Sequence, residues 1–120
     1  MEISIKILCG IVALEHFYFM YLEMFLWTKP FGRKTFGNSV EFANSSKILA
    51  ANQGLYNGFL AVGLLWSFFI SDAFYANEVR IFFLACVFIA GLYGGYSVSK
   101  RIFLIQGVPA GIALVLLAIS

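Results

Sequence analysis

Glu15, His16 and Glu23 stand inside an otherwise apolar stretch that runs from Ile3 to about Trp27. An ionisable group at the centre of a membrane helix costs about 2.5 kcal/mol or more, so partners or a function must compensate it. Seven residues of helix turn about 700°, so His16 and Glu23 share a face to within ~20°, with Glu15 ~100° away on the flank. Burial penalises whichever form of these groups is charged. A carboxylate beside an imidazole can then relay protons, bind a cation, or act as a general acid and base. The residues leave all three open.

A second polar set lies further along the chain. Gln53 and Asn57 are four apart and share a helix face, and Asn52 and Tyr56 form a similar pair beside them. Gln106, Tyr93 and Tyr96 add polar groups to later apolar runs. We take Glu15, His16, Glu23, Asn52, Gln53, Asn57 and Gln106 as ligand-binding or proton-binding candidates, with Tyr56, Tyr93 and Tyr96 secondary. No catalytic residue is assigned among them. The bland alternative is a hydrogen-bond network that holds helices together. It accounts well for Gln106 or Tyr93 alone. It accounts less well for Glu15, His16 and Glu23, because neutral side chains would join helices at lower cost.

No metal or cofactor is assigned. His16 is the only histidine, and the two cysteines, Cys9 and Cys86, stand apart in apolar runs without a CxxC pair. They read as buried hydrophobic thiols. HExxH, GxSxG, P-loop and dinucleotide fingerprints are absent.

The elements that carry these residues follow from composition. The 120 residues are 62% hydrophobic and 12% charged, with a mean hydropathy of +0.90. Soluble domains carry about 25% charged residues, so this chain suits lipid as its surroundings. Lipid offers no hydrogen bonds to an open backbone, and the apolar runs are continuous rather than alternating, which points to helices and not a barrel. The expected fold is all-α, a single membrane domain over 1–120 built as a four-transmembrane-helix bundle. Its helices are expected at about 3–27, 45–70, 78–99 and 102–119, with 28–44 as a polar loop broken by Pro30, Gly32, Gly37 and Asn38. The first run is too long for a cleavable signal peptide. Ser71 to Asn77 reads as a turn.

Basic residues predict the orientation. Lys29, Arg33, Lys34, Lys47, Lys100 and Arg101 cluster at the first and third loops, against Lys6 and Arg80 elsewhere. Loops 28–44 and 100–101 should therefore be cytoplasmic and both termini outside. On that orientation Glu23, Asn52, Gln53, Tyr93, Tyr96 and Gln106 fall in the cytoplasmic half, with Glu15, His16 and Asn57 near the midplane. The expectation is a polar cavity facing the cytoplasm, with Glu15 and His16 at its floor. The basic residues form no nucleic-acid stripe, and no nucleic-acid partner is expected. The expected partners are the lipid bilayer, a small-molecule ligand, and further copies of the chain. The Gly54/Gly58 and Gly91/Gly95 spacings would let such copies pack.

The segments VALEHFYFMYLEMFLW (Val12 to Trp27), TKPFGRKTFG, LAANQGLYNGFLAVGL (Leu49 to Leu64) and AGLYGGYSVSKRIFLIQGVPAGIAL together resemble the small bacterial membrane proteins of the domain-of-unknown-function-1304 family. The resemblance spans essentially the whole chain. It implies a four-helix integral membrane protein and brings no activity with it.

Three functions compete. The first is binding or transport of a small polar or cationic molecule through the cavity. The second is an intramembrane acid/base enzyme, isomerase-like, on a lipophilic substrate. The chain lacks a nucleophile or cofactor motif, which places catalysis behind binding. The third is a structural or regulatory subunit of a membrane complex, for which small size is the only argument.

Overall fold

A computed structural model describes all of residues 1–120. The chain is all-α, without strands, and four of its helices are long and apolar enough to cross a membrane. They are α1 (Glu2–Phe25), α3 (Val40–Ser67), α4 (Ala73–Ser97) and α5 (Lys100–Ile119). A short α2 (Pro30–Phe36) lies between the first two. By packing the chain divides into two compact units, one of residues 1–15 with 60–120 and one of residues 16–59.

The helix boundaries depart from the sequence reading wherever a polar cap extends a helix beyond its apolar run. The Ser39 hydroxyl accepts from the Phe42 amide at 3.1 Å, so α3 starts at Val40 and not at 45. Asp72 accepts from the amides of Phe74 and Tyr75, so α4 starts at Ala73, and the expected 71–77 turn is mostly helix. The expected polar loop 28–44 is also corrected, because it contains α2. Pro30 sits in the first turn of α2, where its fixed φ and missing N–H suit a helix start. Gly37 ends α2 at φ 70°, a left-handed cap that glycine adopts without strain.

In the unit of residues 1–15 and 60–120, the core is a cluster of small and medium apolar side chains. Ile5, Cys9 and Val12 of α1 meet Leu64 of α3, Leu84 and Val87 of α4, and Ala110, Ala113 and Leu117 of α5. Each helix that contributes more than one residue does so at three- or four-residue spacing, the period of one helix face. The α4–α5 approach is especially close. A Cβ at Gly91 would lie 2.8 Å from the Gly107 nitrogen, and one at Gly95 would lie 2.7 Å from the Phe103 Cβ. This glycine face is therefore filled by the chain's own α5.

The start of α5 is locally widened. Residues Phe103–Gly107 form a π-helical turn, in which Val108 N–H reaches back to the Phe103 carbonyl. Pro109 follows immediately and offers no N–H to the turn before it. Gln106 sits within this widened turn, half-buried.

In the unit of residues 16–59, the second half of α1 packs on the middle of α3. A Cβ at Gly54 would come within 2.9 Å of Met24 Cγ and 3.0 Å of Glu23 Cβ. One at Gly58 would lie 2.6 Å from the Met20 sulfur. The second glycine pair is thus also filled internally. Missing side chains let the two backbones approach, and that approach decides which polar groups meet across them.

Candidate functional site

A buried polar constellation is centred on Glu23. This residue is only 4% exposed. Gln53 Nε2 donates to one carboxylate oxygen at 2.6 Å, and Asn57 Nδ2 donates to the other. The two donors come from one face of α3, at the four-residue spacing that places them one turn apart. Gly54 lies between them and brings that face against α1. Each oxygen thus has one donor, and both donors are neutral.

No cation pairs with Glu23. The only ion pair in the chain joins Lys6 and Glu2, 3.2 Å apart at the exposed start of α1. A carboxylate has about four acceptor positions, so two amides leave roughly half of its capacity open. A buried ion held only by neutral donors keeps a large part of its desolvation cost. A cation or a proton from outside would relieve it.

Glu23 also lines an open cleft of about 360 Å³. Trp27 and Thr28 line it from the segment after α1, and Lys47, Ala51 and Asn52 from α3. The wall at Trp27 is fixed in place. Its indole N–H donates to the Ser46 hydroxyl at 3.0 Å, and its ring packs against Phe36 at 4.9 Å. Beneath it, Gly32 is so close to the Leu26 carbonyl that a Cβ would lie 1.8 Å from that oxygen. No side chain fits there, and the close turn folds α2 back beside the end of α1. Thr28, Lys47 and Asn52 make no side-chain hydrogen bond or ion pair, so their polar ends are available to a ligand.

The other sequence candidates lie elsewhere. Asn52 lines the cleft beside Glu23, whose carboxylate Gln53 and Asn57 hold, whereas Glu15, His16 and Gln106 are not among the lining residues. Glu15 and His16 do not line this cleft, which opens near the end of α1 and not at its middle. His16 is wholly buried, its ring edge-on to Phe19 at 5.2 Å. Glu15 is half-buried, and its Oε1 is a buried atom that accepts no hydrogen bond. Tyr56, Tyr93 and Tyr96 are exposed, Tyr96 at 91%. No cluster of three or more His, Cys, Asp or Glu side chains could hold a metal ion.

One residue escapes the sequence reading. Arg80 stands at the very start of the expected 78–99 helix, but α4 begins at Ala73 and carries it two turns into the helix, 5% exposed. Its guanidinium reaches the Ser67 hydroxyl at 3.1 Å, the Ser67 carbonyl at 3.4 Å and Asn77 Oδ1 at 2.9 Å. It also lies 5.3 Å over the Phe68 ring. Ser67 is the last residue of α3, where the helix dipole is negative and carbonyls lack helix partners. Arg80 therefore caps α3, a structural role. The usable signal is Asp72, whose capping pattern places the helix start at Ala73 and not at 78.

Comparison with known proteins places the chain in company without an assigned activity. The family described as "Protein of unknown function (DUF1304)" matches residues 10–118. The uncharacterized protein YpaA of Lactococcus lactis subsp. lactis (strain IL1403) is 38% identical over 117 residues, which cover 96% of this chain and 97% of YpaA. No solved structure matches.

Proposed function

We propose that this chain, which belongs to the DUF1304 family of unknown function, binds a small cationic group in the cleft at Glu23, as the holding step of a membrane binding or transport protein. One observation carries this reading. The buried Glu23 carboxylate is oriented by two neutral amides, has no counter-ion, and lines an open cleft. Neutral donors orient the carboxyl group and bring no positive charge of their own, so a cationic ligand would supply the missing counter-charge. The basic residues that follow α1 in the chain, Lys29, Arg33, Lys34 and the cleft-lining Lys47, support a cytoplasmic position for this end, with both termini on the other side. The test is a calorimetric titration of ethanolamine, a simple primary ammonium, into the full chain purified in mild detergent. Saturable binding by the wild type, lost in Glu23→Gln, supports the reading. Absence of binding by the wild type refutes it.

Acid/base chemistry is a second reading, favoured by one observation. Glu15 Oε1 is buried and accepts no hydrogen bond, which suits a group that takes up a proton. A proton-transfer enzyme would lose turnover in Glu15→Gln while its ethanolamine binding stays unchanged.

A further inference from the structure

The cleft at Glu23 holds two opposite charges that do not meet. Glu23 lines it from α1 and Lys47 from α3, yet no ion pair joins them. Opposite charges sharing a cleft would ordinarily close on each other. Here Glu23 is held by Gln53 and Asn57 on its far side, and those two residues are not part of the cleft wall. Lys47 is exposed and free.

Four kinds of ligand can be weighed against this arrangement. A simple cation satisfies Glu23 and is repelled by Lys47. A simple anion satisfies Lys47 and is repelled by the less accessible Glu23. A neutral molecule answers neither charge. A zwitterion with its ammonium at Glu23 and its anionic oxygens at Lys47 answers both. Thr28 and Asn52 offer neutral polar groups along the same cleft. The fixed Trp27 indole gives an aromatic wall of the kind that favours an ammonium group. The volume, about 360 Å³, is at the small end of ordinary ligand pockets, roughly 300–1,000 Å³.

We infer that the ligand of this cleft is a zwitterion that carries a primary ammonium and a phosphate, the chemistry of a phosphoethanolamine group. The inference rests on the reading of Glu23 as a cation-binding carboxylate. Phosphate is favoured over carboxylate by location. The cleft lies where α1 ends and the chain turns polar, beside Trp27 and the basic α2, the part of a spanning helix that is expected to reach the headgroup layer. The group could arrive on a lipid or on a soluble molecule.

The experiment compares three soluble probes on the full chain in mild detergent: glycerophosphoethanolamine, ethanolamine and glycerol 3-phosphate. Glycerophosphoethanolamine should bind about tenfold more tightly than either of the others, since it makes both charge-assisted contacts. Lys47→Gln should erase that advantage and leave ethanolamine binding intact or stronger, because the ammonium loses a repelling neighbour. Glu23→Gln should abolish binding of both ammonium probes. A wild type that binds ethanolamine and glycerophosphoethanolamine equally, with no effect of Lys47→Gln, overturns the zwitterion and leaves the cation site standing. A wild type that binds none of the three probes and retains no lipid overturns both. The source is read separately, by native mass spectrometry from nanodiscs of mixed phosphatidylethanolamine and phosphatidylglycerol. Preferential retention of phosphatidylethanolamine identifies the lipid headgroup. Soluble binding without lipid retention identifies a free zwitterion. Preferential retention of phosphatidylglycerol overturns the inference.

Discussion

Gly54 of α3 faces Glu23 of α1 so closely that a methyl group at Gly54 would sit 3.0 Å from the Glu23 Cβ. This contact sets the distance at which Gln53 and Asn57 can reach the carboxylate. Backbone proximity, polar satisfaction and the cleft wall are therefore one construction. Gly54→Leu should force the helices apart, cost about 1–3 kcal/mol as an overpacked contact, and abolish ethanolamine binding. Gly10→Ala is the matched control. Nothing lies within 4 Å of a Cβ at Gly10, so this change should stabilise by roughly 0.5–1 kcal/mol through helix propensity. Thermal unfolding in detergent measures both.

Asn57→Leu removes one of the two donors to Glu23. It should cost about 1–3 kcal/mol, as expected when a buried polar atom loses its partner. The double variant with Glu23→Gln should lose much less than the sum of the two single changes. A double-mutant cycle by denaturant unfolding checks this, and additive effects would mean that the bond contributes nothing.

Gly91 separates two accounts of its glycine pair. The spacing Gly91/Gly95 suggests a face for a second copy, but Gly107 and Phe103 of α5 already occupy it. Gly91→Leu should lower the melting temperature and leave the oligomeric mass unchanged. Light scattering beside a thermal melt separates these outcomes, and a change of mass in a protein of unchanged stability would restore the intermolecular role.

Arg80 should resist conservative replacement. Arg80→Lys keeps the charge but cannot span the Ser67 hydroxyl, the Ser67 carbonyl and Asn77 together. A loss of about 1–3 kcal/mol is expected on denaturant unfolding, with ethanolamine binding retained, because Arg80 does not line the cleft.

The four long helices are legible in hydropathy alone, because continuous apolar runs can only be helices in lipid. The four-residue spacing of Gln53 and Asn57 likewise announces a shared polar face. Spacing within one helix, however, says nothing about which residue waits on the next, and the pairing with Glu23 depends on Gly54 and Gly58 closing the gap. Helix starts are harder to place. Hydropathy sees where a run becomes apolar, whereas Ser39 and Asp72 cap from the polar side. The same blindness leaves Arg80 at the edge of a helix that in fact begins two turns before it. Pro30 reads as a helix breaker, yet its place in a first turn makes it a helix starter. Glu15 and His16 draw attention by their depth in α1, but the cleft is lined near the end of that helix, by Glu23.

The central claim is that Glu23 is kept charged for a ligand and does not serve to join helices. The most direct test is thermal unfolding of wild type and Glu23→Gln, each without and with saturating ethanolamine. The account predicts that ligand-free Glu23→Gln melts at or above the wild type, because a buried uncompensated carboxylate is gone. It also predicts that ethanolamine raises the melting temperature of the wild type alone. A variant that melts well below the wild type, with neither protein shifted by ethanolamine, would contradict the account and make Glu23 a helix-joining residue.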